Sequence, residues 1–180
     1  MEKLLKIPYT VFNNNWDLLQ QFLERRGNPR YELVGDVDLS RRKDISDLGN
    51  LVRVDGYLDL YESSIKSLGN LEHVDGSLSL GDTEIKSLGN LVRVSGNLDL
   101  SGTSIKSLGN LEYVGGYLDL SPTPIESLGN LVRVDGGDLI LYDTPIQSLG
   151  KLEYVENEIL LSYDHKIPKE QLINFEIFYE

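Results

Sequence analysis

Aspartate and tyrosine recur along this 180-residue chain at spacings that would set them in lines. Leu58-Asp59-Leu60, Leu98-Asp99-Leu100 and Leu118-Asp119-Leu120 share one pattern. In an extended segment successive side chains face opposite ways. With the leucines turned inward, the residues between them form an outward column that reads Asp38, Asp59, Ser79, Asp99, Asp119, Ile140, Leu160. Neighbouring strands lie about 4.8 Å apart, so Asp99 and Asp119 are like charges stacked almost as closely as a sheet permits. That costs free energy unless a cation answers them. The adjacent outward columns hold Tyr57, Tyr117, Tyr61 and Tyr142. Tyrosine joins a large apolar ring to a hydroxyl and is enriched at protein interfaces. A face built from Tyr57, Asp59, Tyr61, Asp99, Tyr117, Asp119 and Tyr142 fits a protein partner with a basic surface.

Other chemistries fare less well. Two carboxylates can hydrolyse a glycoside, but the acid and the base need different environments in a cleft, and a repeated column gives each aspartate the same one. Calcium favours several hard oxygens, yet the Gly-Gly-x-Gly-x-Asp type of repeat is absent. There is no cysteine, hence no thiol nucleophile, disulfide or thiolate metal site, and His73 and His165 lie far apart in sequence. No catalytic residue, metal or cofactor is expected. Seventeen Lys and Arg against 29 Asp and Glu give a net charge of −12, which argues against direct nucleic-acid binding. Lys6 and Pro8 interrupt the apolar start of the chain, so neither a secretory segment nor a membrane span is read there. The expectation is a cytoplasmic protein with no membrane contact.

The elements that must position these columns are repeats. Val54-Asp55-Gly56-Tyr57-Leu58-Asp59-Leu60 recurs from Val74, Val94 and Val114 with a period of twenty residues. Degenerate copies start at Leu33, at Val134 with one inserted residue, and at Val155, so seven strand units are counted. Each is read as one short strand, stacked edge to edge with its neighbours in a parallel sheet. Gly56, Gly76, Gly96, Gly116 and Gly136 fall on the inward parity, where a missing side chain allows close backbone approach or marks a bend. A second block, Ile65-Lys66-Ser67-Leu68-Gly69-Asn70-Leu71, closes the core from the far side, and its Gly-Asn pair suits a turn. The asparagine amides are expected to form an internal hydrogen-bonded ladder. Opposite the sheet, Arg93 should lie beside Tyr113 and Arg133 beside Tyr154, in cation–π range.

Leu58-Asp59-Leu60-Tyr61-Glu62-Ser63-Ser64-Ile65 and Leu98-Asp99-Leu100-Ser101-Gly102-Thr103-Ser104-Ile105 resemble the leucine-rich repeat, L-x-L-x-x-N-x-L, with Ser or Thr at the usual Asn position. The phrasing is closer to receptor L domains and to similar repeats in uncharacterised bacterial and phage proteins. The resemblance covers roughly residues 33 to 167 and implies an α/β solenoid, a right-handed coil with a parallel sheet of about seven short strands. It implies a scaffold for binding and no shared active site.

Solenoids need ends unlike their repeats. Asn13-Asn14-Asn15 offers an N-cap to a helix in which Trp16, Leu19, Phe22 and Leu23 share a face, and Gly27-Asn28-Pro29 stops it. Pro168 starts a short C-terminal cap, with residues 175–179 as an extended alternative. The chain divides into an N-terminal cap (1–32), repeats (33–167) and a C-terminal cap (168–180). The function expected is a non-catalytic protein-interaction module acting through the Asp/Tyr face. The alternatives are an acidic inhibitor, of the phage or bacterial counter-defence kind, that blocks a basic nucleic-acid-binding groove, and a structural protein that self-assembles through its capping ends; a homodimer through the aromatic C-terminal cap is a further partner reading.

Overall fold

A computed structural model describes residues 4–179. The chain runs β1 (Leu5–Pro8), a 3-10 turn (Tyr9–Phe12), α1 (Trp16–Glu24), β2 (Tyr31–Val34), β3 (Val37–Asp38), β4 (Leu51–Val54), β5 (Leu58–Asp59), β6 (His73–Val74), β7 (Leu78–Ser79) and β8 (Arg93–Val94). It continues β9 (Leu98–Asp99), β10 (Tyr113–Val114), β11 (Leu118–Asp119), β12 (Arg133–Val134), β13 (Leu139–Leu141), β14 (Tyr154–Val155), β15 (Glu158–Leu161), α2 (Lys169–Leu172) and β16 (Glu176–Tyr179). The result is a parallel β-solenoid of about seven turns at a spacing of about 20 residues.

Two parallel sheets of eight strands run its length, not one of about seven. Sheet A is ordered β1-β2-β4-β6-β8-β10-β12-β14, and sheet B β16-β15-β13-β11-β9-β7-β5-β3. The unit read as a single strand, Val94 to Leu100, is a corner: Val94 belongs to sheet A and Leu98 to sheet B. The glycines sit at this corner because nothing larger fits. A Cβ at Gly76 would lie 2.6 Å from the carbonyl carbon of Gly56 and the amide of Tyr57, and one at Gly96 2.8 Å from the carbonyl carbon of Gly76. Hydrogen bonds from the Gly76 and Gly96 amides to the Gly56 and Gly76 carbonyls, 2.9 and 3.0 Å, hold the corners in register.

The third side of each coil is irregular, with isolated parallel bridges between Asp47 and Ser67 and between Ser127 and Ser148, and the repeats contain no helix. The expected α/β character is thus limited to helices near the two ends. Neighbouring third sides still bond, as in Lys66 N–H to Ser46 O at 2.9 Å. Val94, Leu98, Leu100, Ile105, Leu108 and Leu111 in one coil, and their equivalents in the others, form one continuous core with essentially no solvent contact. Burying each such side chain contributes about 1.5–3 kcal/mol, and a single coil could not do it alone.

Two polar columns accompany the core. Gly49, Gly69, Gly89, Gly109, Gly129 and Gly150 all take φ between 58° and 62°, the left-handed turn that favours glycine. The asparagines that follow the first five are half-buried or exposed, so the ladder is not internal. It is also mixed: Asn70 Nδ2 donates to Asn50 Oδ1 at 2.8 Å, whereas Asn130 Nδ2 donates to the Gly109 carbonyl at 2.9 Å. The buried polar column is instead Ser63, Thr83, Thr103 and Thr123. Thr83 and Thr103 hydroxyls donate to the Leu80 and Leu100 carbonyls at 2.7 and 2.8 Å.

At the N-terminal end Asn15 Oδ1 accepts from the amides of Asp17 and Leu18, 3.0 and 3.1 Å. This caps α1, whose Trp16, Leu19 and Leu23 cover the core. At the other end the cap is α2, four residues long, followed by an extended segment: β16 pairs with β15 and ends sheet B.

Candidate functional site

The outer faces of the two sheets differ in chemistry. On sheet B, pairing aligns Asp38 with Asp59, Asp59 with Ser79, Ser79 with Asp99, Asp99 with Asp119 and Asp119 with Ile140. All seven sequence-identified residues lie in or beside these outward columns, but in separate groups. Asp59 sits near Tyr57, which is 43 % exposed, and near Tyr61. Asp99 and Asp119 flank Tyr117, which is 38 % exposed. Tyr142 follows β13, beyond the point where Ile140 replaces aspartate, and is half-buried.

Each aspartate is half committed to its own turn. Asp59 Oδ1 accepts from the Tyr61 amide at 2.9 Å. Asp99 Oδ1 accepts from the Ser101 amide and hydroxyl, 2.9 and 2.7 Å, and Asp119 Oδ1 from those of Ser121, 2.9 and 2.6 Å. Such side-chain-to-amide bonds two residues on are the ordinary work of aspartate in turns. They orient the carboxylates so that the second oxygen is the one left for another partner. Asp99 and Asp119 therefore make the same turn hydrogen bonds, although their sheet neighbours differ: Ser79 and Asp119 for Asp99, Asp99 and Ile140 for Asp119.

The face carries a negative field that its tyrosines register. Burial, then the charges of Asp99 and Asp119, push the Tyr117 phenol above its ordinary range. Burial, then Asp36, Asp38 and Asp59, do the same to Tyr57. Tyr61 is raised first by its hydrogen bond to Asp82, its hydroxyl donating to Oδ2 at 3.2 Å. Asp36 and Asp82 are thus members of the face that the sequence reading left out. Asp36 also accepts from the Tyr57 amide at 3.1 Å, and it stands one coil before Tyr57 on the same parity, which is the signal that would have found it.

Sheet A presents the opposite character. Its outer column aligns Lys6, Glu32, Arg53, His73, Arg93, Tyr113, Arg133 and Tyr154. The Arg93 guanidinium lies 3.6 Å from the centre of the Tyr113 ring and that of Arg133 4.6 Å from Tyr154, the expected stacking. Arg53 is paired with Asp75 and approaches the buried Glu32 at 3.8 Å. These cations are occupied in holding the stack together.

Among the described residues no group of three or more His, Asp or Glu is placed to hold a metal ion, and no helix is long and apolar enough to cross a membrane. Compared with protein-family models, curated proteins and solved structures, the chain matches none.

Proposed function

We propose that this chain is a non-catalytic protein-binding module that takes a basic surface of its partner on the outer face of sheet B. The observation that carries the reading is the in-register pairing of Asp38 with Asp59 and of Asp99 with Asp119, beside the exposed rings of Tyr57 and Tyr117. Like charges directly opposite one another destabilise a sheet, and a Lys or Arg laid between them offsets that. The tyrosines supply apolar area at low conformational cost. Acid–base catalysis draws no support from the same residues, since Asp99 and Asp119 share one hydrogen-bonding pattern and a catalytic pair needs two environments. The scaffold belongs to the same proposal: a right-handed, leucine-rich-repeat-like coil with Ser or Thr in place of the repeat asparagine. Association would be steered by charge and weakened by salt.

Asparagine is the substitution that tests this, because Asn Oδ1 still accepts from the amide two residues on while the charge is gone. With the parent chain used as bait to capture a partner from cell lysate, a D59N/D99N/D119N chain is expected to bind that partner at least tenfold more weakly, with a shallower salt dependence. Equal binding by both chains would remove sheet B from consideration and turn attention to the Arg/Tyr column. Competition between the chain and DNA or RNA for that partner would identify an acidic inhibitor of a nucleic-acid-binding groove; its absence would identify an adaptor.

A further inference from the structure

Six of the eight arginines have a polar partner. Arg30, Arg41, Arg42, Arg53 and Arg133 each meet a carboxylate, and Arg93 donates to the Ser95 hydroxyl. Among the described residues Arg25 and Arg26 have neither an ion pair nor a side-chain hydrogen bond. The Arg26 guanidinium lies 4.4 Å from the centre of the Phe22 ring, a stacking that uses its flat face and leaves its N–H edge free.

Both arginines belong to one place. With Val11, Phe12, Leu18 and Phe22 they line a groove of about 640 Å³ between the 3-10 turn and α1. Val11 is 69 % and Leu18 46 % exposed, and the half-buried Phe12 and Phe22 rings lie 5.2 Å apart. No carboxylate lines the groove: Asp17 is turned to Arg42 at 2.8 Å, and Glu24 lines a separate depression with Gln20 and Asn28. The helix dipole accounts for cations after the last turn of α1, but not for two exposed aliphatic side chains beside them.

The groove's chemistry selects its ligand. Exposed apolar side chains gain free energy when apolar ones cover them, and arginines withdrawn from water require anions. Residues 1–32 hold five Lys or Arg against four Asp or Glu, and the remaining chain 12 against 25, so an anionic ligand meets least repulsion at this end. The walls are a helix and a 3-10 turn whose amides are already bonded, as in Asn13 N–H to the Thr10 carbonyl and Arg26 N–H to that of Leu23, both 2.9 Å. An extended segment would bury its backbone against walls with nothing to offer it, whereas a helix satisfies its own.

We propose that this groove binds an acidic amphipathic helix of a partner protein, lying antiparallel to α1. Its first turn then faces Arg25 and Arg26, where carboxylates also suit the partner helix's own dipole. Leu18 precedes Arg25 by seven residues, about 10.5 Å along the axis or two turns, so the partner's apolar anchors fall three or four and seven residues after its acidic one. The site is built from other residues than the outer face of sheet B and takes a ligand of opposite charge.

Selection from a displayed library of helical peptides of about 15 residues, with the full chain as bait, tests this. It is expected to yield sequences with Asp or Glu followed at those spacings by Leu, Ile, Phe or Met. A selected peptide should bind R25Q/R26Q at least tenfold more weakly, with a shallower salt dependence. V11S/L18S should weaken binding as much while keeping the salt dependence of the parent. All four positions are exposed, so both variants should retain the parent's far-ultraviolet circular dichroism. Exchanging the peptide's acidic residue for Lys should abolish binding to the parent and restore it on R25E/R26E. The proposal is overturned if the selection yields no binder, if its binders lack the acidic–apolar spacing, or if R25Q/R26Q binds them as the parent does. Perturbation of the Leu18 and Arg25 amide resonances by dodecanoate, with no peptide selected, would assign the groove to a small amphipathic anion instead. The D59N/D99N/D119N chain should bind a selected peptide as the parent does, so this reading and that of the Asp/Tyr face fail separately.

Discussion

Thr103 and Thr123 occupy the same buried corner one coil apart, and only one of them has a hydrogen-bond acceptor. Thr103 donates to the Leu100 carbonyl, whereas the Thr123 hydroxyl is buried without a partner. The difference traces to the residue before it. Arg41, Glu62, Asp82, Gly102 and Asp143 take φ between 53° and 68° at that turn position, while Pro122 is held near −65° by its ring. Proline also lacks the amide that Asp82 and Gly102 donate to the next coil, to Ser101 and Ser121 at 2.9 and 3.1 Å. A buried hydroxyl without a partner costs about 1–3 kcal/mol, and a satisfied one contributes about 1. T103V should therefore lower the unfolding free energy by about 1 kcal/mol, and T123V, the same change of shape, should leave it unchanged or raise it by up to about 1. Urea denaturation of the two variants checks this; equal losses would mean that the Thr123 hydroxyl has an acceptor after all.

At the scale of the element, the glycine at the corner and the glycine of the Gly-Asn turn are required for different reasons. G76A drives a Cβ to 2.6 Å from two backbone atoms of the preceding coil, and rigid backbone cannot yield as a side-chain tip can. A loss of about 1–3 kcal/mol is expected, as for other overpacked sites. Gly89 has nothing nearer than 3.8 Å, so G89A meets only the conformational penalty of φ 59°, about 1–2 kcal/mol. Thermal unfolding should rank G76A as the more damaging, and it should disturb the amide resonances of two coils where G89A disturbs one. Much of this element was legible in sequence. The Val-x-Gly-x-Leu-x-Leu alternation identified Val74, Leu78 and Leu80 as inward, and all three are buried. The alternation did not reveal the corner, because a three-residue turn that keeps the in-out count looks like an unbroken strand. The aspartate columns followed from the same parity. Their tie to the residue two positions on was written in the Asp-x-Ser spacing of Asp99 and Ser101, but its meaning depends on a turn that parity does not describe.

Taken whole, the solenoid sorts its side chains by face, with arginine and tyrosine on sheet A and aspartate and tyrosine on sheet B, and carboxylates outnumber cations by twelve. Each coil contacts chiefly its neighbours, so stability is close to a sum of coil and interface terms, and a repulsion repeated at successive interfaces adds up along the stack. Two aspartates about 4.8 Å apart repel by about 0.9 kcal/mol even at the dielectric constant of water. The surface ion pairs, such as Arg41–Glu62 at 3.1 Å, act in the opposite sense but are worth about 0–1 kcal/mol each. The net imbalance decides between them. Raising sodium chloride from about 0.01 M to about 1 M contracts the Debye length from about 30 to about 3 Å and should increase the unfolding free energy. The increment should shrink in D99N, which removes the Asp99–Asp119 repulsion while retaining the turn acceptor. A fall in stability with salt would show instead that the ion pairs and the Arg/Tyr column dominate the electrostatics, and that the aspartates of sheet B already have their counter-charges within the chain.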